Sequence, residues 1–404
     1  EIIYNGDTYF DDFYYDFDTE NQKAQFIKKI FTASCTKSFC HAAEKIKHIN
    51  LPWGVMCGIR PAKIVRELME EGHSDSEVVE ILKKIYEVSD EKIDLAYKVA
   101  KNEKILLDEI GENSVSIYIG IPFCPTRCLY CSFTSYPIGV YKDKVDAYLD
   151  TMEKEMEYIA ESYTEKKLAS IYIGGGTPSS ISAEQMDRLC SMIEKHFDLS
   201  QVREYTIEAG RPDSTTADKL QVMKAHGVDR ISINPQTMNG ETLKLIGRAH
   251  TPEQAEEAFM RAREAGFDNI NMDLIVGLPG EDAEMVKRTL EKVKKLAPES
   301  LTVHTLAIKR AAHLKQEMDK YSFAGDVDEQ LSLVGQAAEE LGLAPYYLYR
   351  QKNMAGNLEN VGYARHGLEC LYNILIMEER TDIIGIGAGS SSTVSYTHLT
   401  LPTT

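Results

Sequence analysis

The residues best suited to chemistry lie in one stretch, Ile121-Pro122-Phe123-Cys124-Pro125-Thr126-Arg127-Cys128-Leu129-Tyr130-Cys131-Ser132-Phe133. Three cysteines stand there at C-x3-C-x2-C spacing. Thiolates gathered in a short loop can ligate a metal ion or an iron–sulfur cluster. A structural zinc takes four ligands, and no fourth Cys or His follows closely. A 4Fe–4S cubane held by three thiolates leaves one iron without a protein ligand, open to a substrate or cofactor. The competing readings are small residues buried in a loop, or an incomplete zinc site.

Such a loop needs a scaffold, and the flanking pattern supplies one. Strand-like runs are expected at Val115–Gly120, Leu168–Ile173, Glu204–Ala209, Asp229–Asn234, Asn269–Val276 and Ser300–Leu306. Between them lie helical patterns at Lys142–Tyr163, Ser182–Phe197, Ser214–His226, Gly240–Gly247, Thr251–Ala265 and Asp282–Leu296. Ser182 with Gln185, and Thr251-Pro252 with Gln254, read as helix N-caps. Strand–helix alternation means a parallel sheet covered by helices. Six units predict an α/β fold, a partial (β/α)6 TIM-like barrel. Reactive groups should gather at the C-terminal strand ends. The cysteine loop follows the first strand, and Gly174-Gly175-Gly176-Thr177-Pro178 ends the second. Glycines there would let the backbone approach a ligand closely, or simply make a tight turn.

With Tyr130 before the last cysteine, the loop resembles the radical S-adenosylmethionine (SAM) signature. The string IPFCPTRCLYCSFTSYP is similar to the oxygen-independent coproporphyrinogen III oxidase branch, most closely its HemZ type. That resemblance implies a radical SAM barrel, a 4Fe–4S cluster on Cys124, Cys128 and Cys131, and one or two SAM molecules. It places Tyr118, Tyr130, Gly175, Gly176, Thr177, Glu208, Gln236, Arg248, Asp273 and Ala307 among the SAM contacts. Glu208 could otherwise be a salt-bridge partner, and Asp273 with Arg248 a buried ion pair. The implied reaction cleaves SAM reductively; the 5′-deoxyadenosyl radical takes a hydrogen from a propionate of coproporphyrinogen III, and loss of CO2 and an electron leaves a vinyl group. Two turnovers give protoporphyrinogen IX. A sister branch resembles a haem chaperone, which binds haem without decarboxylation. The implied partners are therefore coproporphyrinogen III or haem, and a low-potential flavodoxin- or ferredoxin-like donor. Enzymes of the family commonly carry a further cysteine two residues after the third; here that position is Phe133. A substrate with four carboxylates needs cations, for which Arg211, Lys309 and Arg310 are candidates.

Composition narrows the class. The 404 residues suit two or three domains, and the net charge of −18 argues against extended nucleic-acid binding. No apolar run reaches the length of a membrane span, and no signal-peptide pattern opens the chain. Eight cysteines without a disulfide framework, three of them in a loop that needs thiolates, point to a reducing cytoplasm. Residues 1–112 read as a mainly helical α+β domain and 113–310 as the barrel. Helices are expected at Gln22–Phe31, Ser38–Ile49, Pro61–Glu71, Ser74–Val88 and Asp90–Glu112, after an aromatic, acidic strand pair in Glu1–Asp18. The string GIRPAK resembles HemZ-type proteins; Arg60 and Lys63 could meet carboxylates or face solvent. Cys35, Cys40 and His41 lack the partner pair a zinc site requires. Residues 311–393 read as a truncated C-terminal extension, whose strings YYLYRQKNMAGNLENVGY and IIGIGAGS resemble the segments that in this family help cover the barrel mouth. Residues 394–404 look like a translated sequencing adapter, and Glu1 like an internal start.

Overall fold

The structure is a computed structural model that describes residues 2–5, 7–12, 24–46, 51–56, 58–111, 113–316, 321–323, 325–351 and 354–393. The suspected adapter, the end of the expected N-terminal strand pair and the end of the helix expected at Ser38–Ile49 lie outside those residues. The chain divides into two compact units. The first runs to Lys101 and takes in Leu348–Gln351; the second begins at Asn102. The division thus falls inside the helix Asp90–Asp108, eleven residues before the expected boundary at 112.

In the first unit, Ile2–Tyr4 pairs antiparallel with Asp7–Tyr9. Where two helices were expected there is one, Ala24–Glu44. Its polar middle does not break it, because the Thr32, Ser34 and Thr36 hydroxyls each donate to a carbonyl four residues back, at 2.9 Å. Pro61–Glu70 starts on its proline, and Asp75–Lys84 on a Ser74–Glu77 capping box. Trp53 is fully buried, with the Arg350 guanidinium 5.7 Å from its ring centroid. Gly54 has φ +51°, and a Cβ there would fall 2.0 Å from the Tyr86 carbonyl oxygen. The approach to GIRPAK is therefore a packed turn.

The second unit carries a nine-stranded sheet. In chain order its strands are β1 (Ser114–Ile121), β2 (Lys167–Gly175), β3 (Glu204–Gly210), β4 (Arg230–Gln236), β5 (Ile270–Val276), β6 (Ser300–Thr305), β7 (Ala344–Tyr349), β8 (Asn360–Ala364) and β9 (Asp382–Ile386). Their spatial order is β7-β8-β6-β5-β4-β3-β2-β1-β9. Strands β1 to β6 are sequential neighbours and all parallel, as the alternating pattern predicts. Both expected capping boxes in this unit are present, each with its reciprocal side-chain bond. They end the βα loops at defined residues and so fix where the loop chemistry begins.

The extension also supplies strands: β8 adds antiparallel to β6, β7 lies beyond it, and β9 adds parallel to β1. Both strings also reach strand ends: Met354 bridges Ala307 just past β6, and in the turn after β9 Ala388 N–H donates to Tyr148 Oη (2.8 Å) while Tyr148 donates to the Gly120 carbonyl (2.6 Å). The strands complete edges that six units alone would leave exposed.

The sheet curls. Strands β1 and β6 are separated by four others, yet Leu314 N–H donates to the Leu129 carbonyl at 3.0 Å and Arg127 Nη2 to the Ala311 carbonyl at 2.8 Å. The helix Leu371–Glu378 begins on Glu204, whose buried carboxylate accepts from Leu371 N–H (2.5 Å) and Tyr372 N–H (3.4 Å). That anion at a helix N-terminus favours the pairing twice, by hydrogen bonds and by the dipole.

Candidate active site

The cysteine loop is fastened from several sides. Leu129 N–H donates to the Ile246 carbonyl at 2.9 Å, and Thr126 Oγ1 to the Gly247 carbonyl at 3.3 Å. Arg211, after β3, donates to Thr126 Oγ1 (2.6 Å) and forms a fork–fork pair with Asp213 (2.9 and 2.7 Å). Arg211 is 3% exposed. The expectation that Arg211 awaits a substrate carboxylate is thus corrected: its fork is already filled. Truncating it would leave Asp213 facing a half-buried site unpaired. Arg211→Ala should therefore destabilise the protein by about 3 kcal/mol, read as a drop in the urea midpoint; Arg211→Lys should recover only part, lacking the fork geometry.

Cys124 and Cys128 are buried and Cys131 is half-buried. Burial pushes the Cys124 and Cys131 thiols above their ordinary range, and the neighbouring loop cysteines add to this. Gly176 comes so close that a Cβ would lie 3.0 Å from Cys124 Sγ and 2.7 Å from the Phe123 carbonyl oxygen. Thr177 Oγ1 is 3.4 Å from the same sulfur. Gly175 has φ +111°, a conformation that favours glycine. The Gly-rich strand end and the loop are one packed unit.

Around it stand the other residues singled out in sequence. Glu208 accepts from Tyr172 Oη at 2.7 Å, and burial raises its carboxyl to about 7. Tyr118 and Tyr172 are register partners on β1 and β2 and stack at 6.0 Å, with Tyr372 stacked on Tyr172 at 4.5 Å. Gln236 ends β4 at a break in register, with φ +68° and a buried Oε1 that has no hydrogen-bond partner. Strained backbone together with an orphaned acceptor is a combination that gathers at ligand sites. Arg248 donates to the Asn234 carbonyl (2.7 Å) and to Tyr130 Oη (3.2 Å). It does not pair with Asp273, which accepts from Asn271 (2.6 Å) and has His304 at 3.9 Å. Ala307 lies just past β6 in an isolated bridge with Met354. Its neighbours Leu306 and Ile308 line an apolar pocket of about 210 Å³ with Leu278, Phe323, Val327 and Met354.

Sequence reasoning did not find the Tyr172–Tyr372 stack, His304 or His250. The last is buried between the Arg248 and Arg211 charges, and burial with Arg248 pulls its pKa down to about 4. Position on β2 would have pointed to Tyr172; nothing local points to Tyr372. Elsewhere, Cys35 is exposed and His41 pairs with Glu87 at 2.9 Å.

Among the described residues no three or more His, Cys, Asp or Glu side chains close around a single ion. A cubane spreads its thiolates over different irons, so three cysteines without a fourth ligand fit a cluster better than one ion. The buried, unpartnered Gln236 Oε1 is an acceptor that a bound cofactor could satisfy.

Residues 118–293 match the Radical SAM superfamily. An oxygen-independent coproporphyrinogen-III oxidase-like protein, HemZ, of Bacillus subtilis (strain 168) is 46% identical over 351 residues, 85% of this chain and 70% of the relative. The chain belongs to the radical SAM superfamily, in the coproporphyrinogen oxidase-like branch. The haem chaperone HemW of the same organism is 32% identical over 70% of this chain and 72% of its own. Coproporphyrinogen III oxidase (HemN) from Escherichia coli, described as a radical SAM enzyme, shares the fold: its TM-score is 0.56 at 24% identity, over 73% of this chain and 68% of that one. The family's cofactors are a 4Fe–4S cluster and SAM, and they are the cofactors of this chain. Among the described residues no helix is long and apolar enough to cross a membrane.

Proposed function

We propose that this protein is an oxygen-independent coproporphyrinogen III oxidase-like enzyme, converting propionates of coproporphyrinogen III to vinyls and yielding protoporphyrinogen IX. Supporting it most directly is the three-thiol loop with no fourth ligand, packed on the Gly174–Thr177 strand end, where Glu208 Oε1 lies beside Gly174. Cys124, Cys128 and Cys131 would hold the cluster. When bound, cluster and SAM supply one-electron cleavage and hydrogen abstraction. The chain's own residues bind, orient and exclude water. Gly175 and Gly176 would lend carbonyl oxygens to the methionyl end, because the Gly176 and Thr177 N–H groups already donate to the Ile121 and Phe123 carbonyls and hold the strand end on the loop. Glu208 takes the amino group, with Tyr172 and Tyr118 fixing its place. Gln236, Arg248 and Asp273 supply the polar wall, Tyr130 sets Arg248, and the pocket beside Ala307 suits an adenine face. A second bound SAM, a low-potential flavodoxin- or ferredoxin-like donor and a reducing cytoplasm complete this reading.

Glu208 gives it a pH signature. Only the carboxylate offers both oxygens as charged acceptors, whereas protonation turns one into a donor, and burial places its titration at about 7. SAM affinity should therefore rise roughly tenfold or more between about pH 5.5 and about pH 7.5. Equilibrium dialysis should show the rise in wild type, and weaker, pH-flat binding in Glu208→Gln.

The decisive experiment is anaerobic turnover of the reconstituted full-length protein with SAM, reductant and coproporphyrinogen III. Protoporphyrinogen IX with release of CO2 supports the proposal. A haem-chaperone reading is the alternative, favoured by Phe133 standing where oxidases of the branch commonly have another cysteine. Stoichiometric haem binding without decarboxylation would select it.

A further inference from the structure

Three cations were candidates for the substrate's carboxylates, and the structure separates them. Arg211 is buried and paired. Lys309 and Arg310, just past β6, have no carboxylate partner among the described residues, and Arg310 is exposed. Lys309 is half-buried, with its ammonium 5.7 Å from the centroid of the Phe133 ring. Phe133 is 64% exposed. A lone surface phenylalanine needs no explanation. This one follows the last loop cysteine by two residues, and the cation over it comes from the far side of the curled sheet, from β6 to the β1 loop. The pair therefore lies on the rim that joins the cysteine loop to the segment after β6, two residues from Cys131. Arg127, exposed on the same loop, adds a third cation to that rim. On a chain of net charge −18, such a rim is where anions would gather.

We propose that Phe133 and Lys309 form the docking point of a propionate-bearing tetrapyrrole, a pyrrole ring lying on the exposed Phe133 face and a carboxylate meeting the Lys309 ammonium. This rests on the tetrapyrrole reading above, and both relatives' chemistries share it: coproporphyrinogen and haem each present pyrrole faces and propionates. The same ring explains what a cysteine at this position could not supply, a platform of aromatic area. Cation–π contact holds Lys309 in place before the ligand arrives.

The test is titration of the cluster-reconstituted protein with coproporphyrin III, coproporphyrin III tetramethyl ester and haemin, followed by fluorescence or Soret absorbance. Lys309→Ala should weaken coproporphyrin III binding about tenfold or more, the scale of a lost charge-assisted bond, and leave the ester's affinity unchanged. Phe133→Ala should weaken both. Iron and sulfide content, unchanged in each variant, shows that the loop still holds its cluster. Wild-type binding that both variants retain overturns the docking point while leaving the tetrapyrrole reading intact. Equal wild-type affinity for acid and ester overturns the role of Lys309. Wild type that binds none of the three overturns the tetrapyrrole reading and the docking point with it. Unchanged tetrapyrrole binding with slower reduction by a flavodoxin would assign the cations to a protein partner instead and overturns the proposal.

Discussion

Cys128→Ala should empty the loop: iron and sulfide fall to background, the broad iron–sulfur absorbance disappears, and 5′-deoxyadenosine formation goes with them. Cys128 lies between two fixed points, Thr126 held by Arg211 and Leu129 held by the Ile246 carbonyl. Its backbone has reason to stay where it is without the sulfur. The side chain is 8% exposed, so a mere packing role would cost only about 1 kcal/mol on removal of one sulfur. The two readings separate cleanly. A ligand loses all metal, and with it the stability that the bound cluster contributes; a packing residue loses a little stability and no metal. Anaerobic iron and sulfide analysis, with a thermal melt of the same sample, decides. Unchanged iron content in a folded variant would refute the assignment of this cysteine.

Gly176→Ala ranks second in expected effect. One methyl group would fall 2.7 Å from the Phe123 carbonyl oxygen and 3.0 Å from Cys124 Sγ. Neither is the end of a flexible side chain: one is backbone, the other a proposed cluster ligand. Over-packing of this kind costs about 1–3 kcal/mol, and relief must come from shifting the Pro122–Cys124 segment or the strand end packed on it. Displacing a ligand or its support typically lowers metal affinity about 10–100-fold. The variant should therefore fold with unchanged far-ultraviolet circular dichroism, melt lower and lose its cluster to a chelator much faster than wild type. Thr177→Ala, which removes only the hydroxyl 3.4 Å from that sulfur, should fall between the two. Wild-type chelator resistance in Gly176→Ala would mean that strand and loop are not coupled as their contacts imply.

Sequence alone determined whatever depends on residues close together in the chain. The C-x3-C-x2-C spacing, the Gly174–Pro178 strand end and the Ser182–Gln185 and Thr251–Gln254 capping boxes are each complete within a dozen residues. The order of six parallel strands follows from local alternation and from the short reach of βα connections. What only tertiary structure decided are pairings between distant residues. Glu204 on β3 receives a helix that begins 167 positions later, and Tyr372 from that helix stacks on Tyr172. Strands β8 and β9 join β6 and β1, at opposite ends of the run of six, although no strand was expected in either string. A strand's place depends on which edge is open, and no local pattern encodes that. Likewise Arg211, Lys309 and Arg310 are equivalent as letters in the sequence. Only the fold fills the fork of Arg211 with Asp213 and leaves Lys309 over an exposed ring, because a charge's role is set by whichever groups the curled sheet brings within a few ångströms.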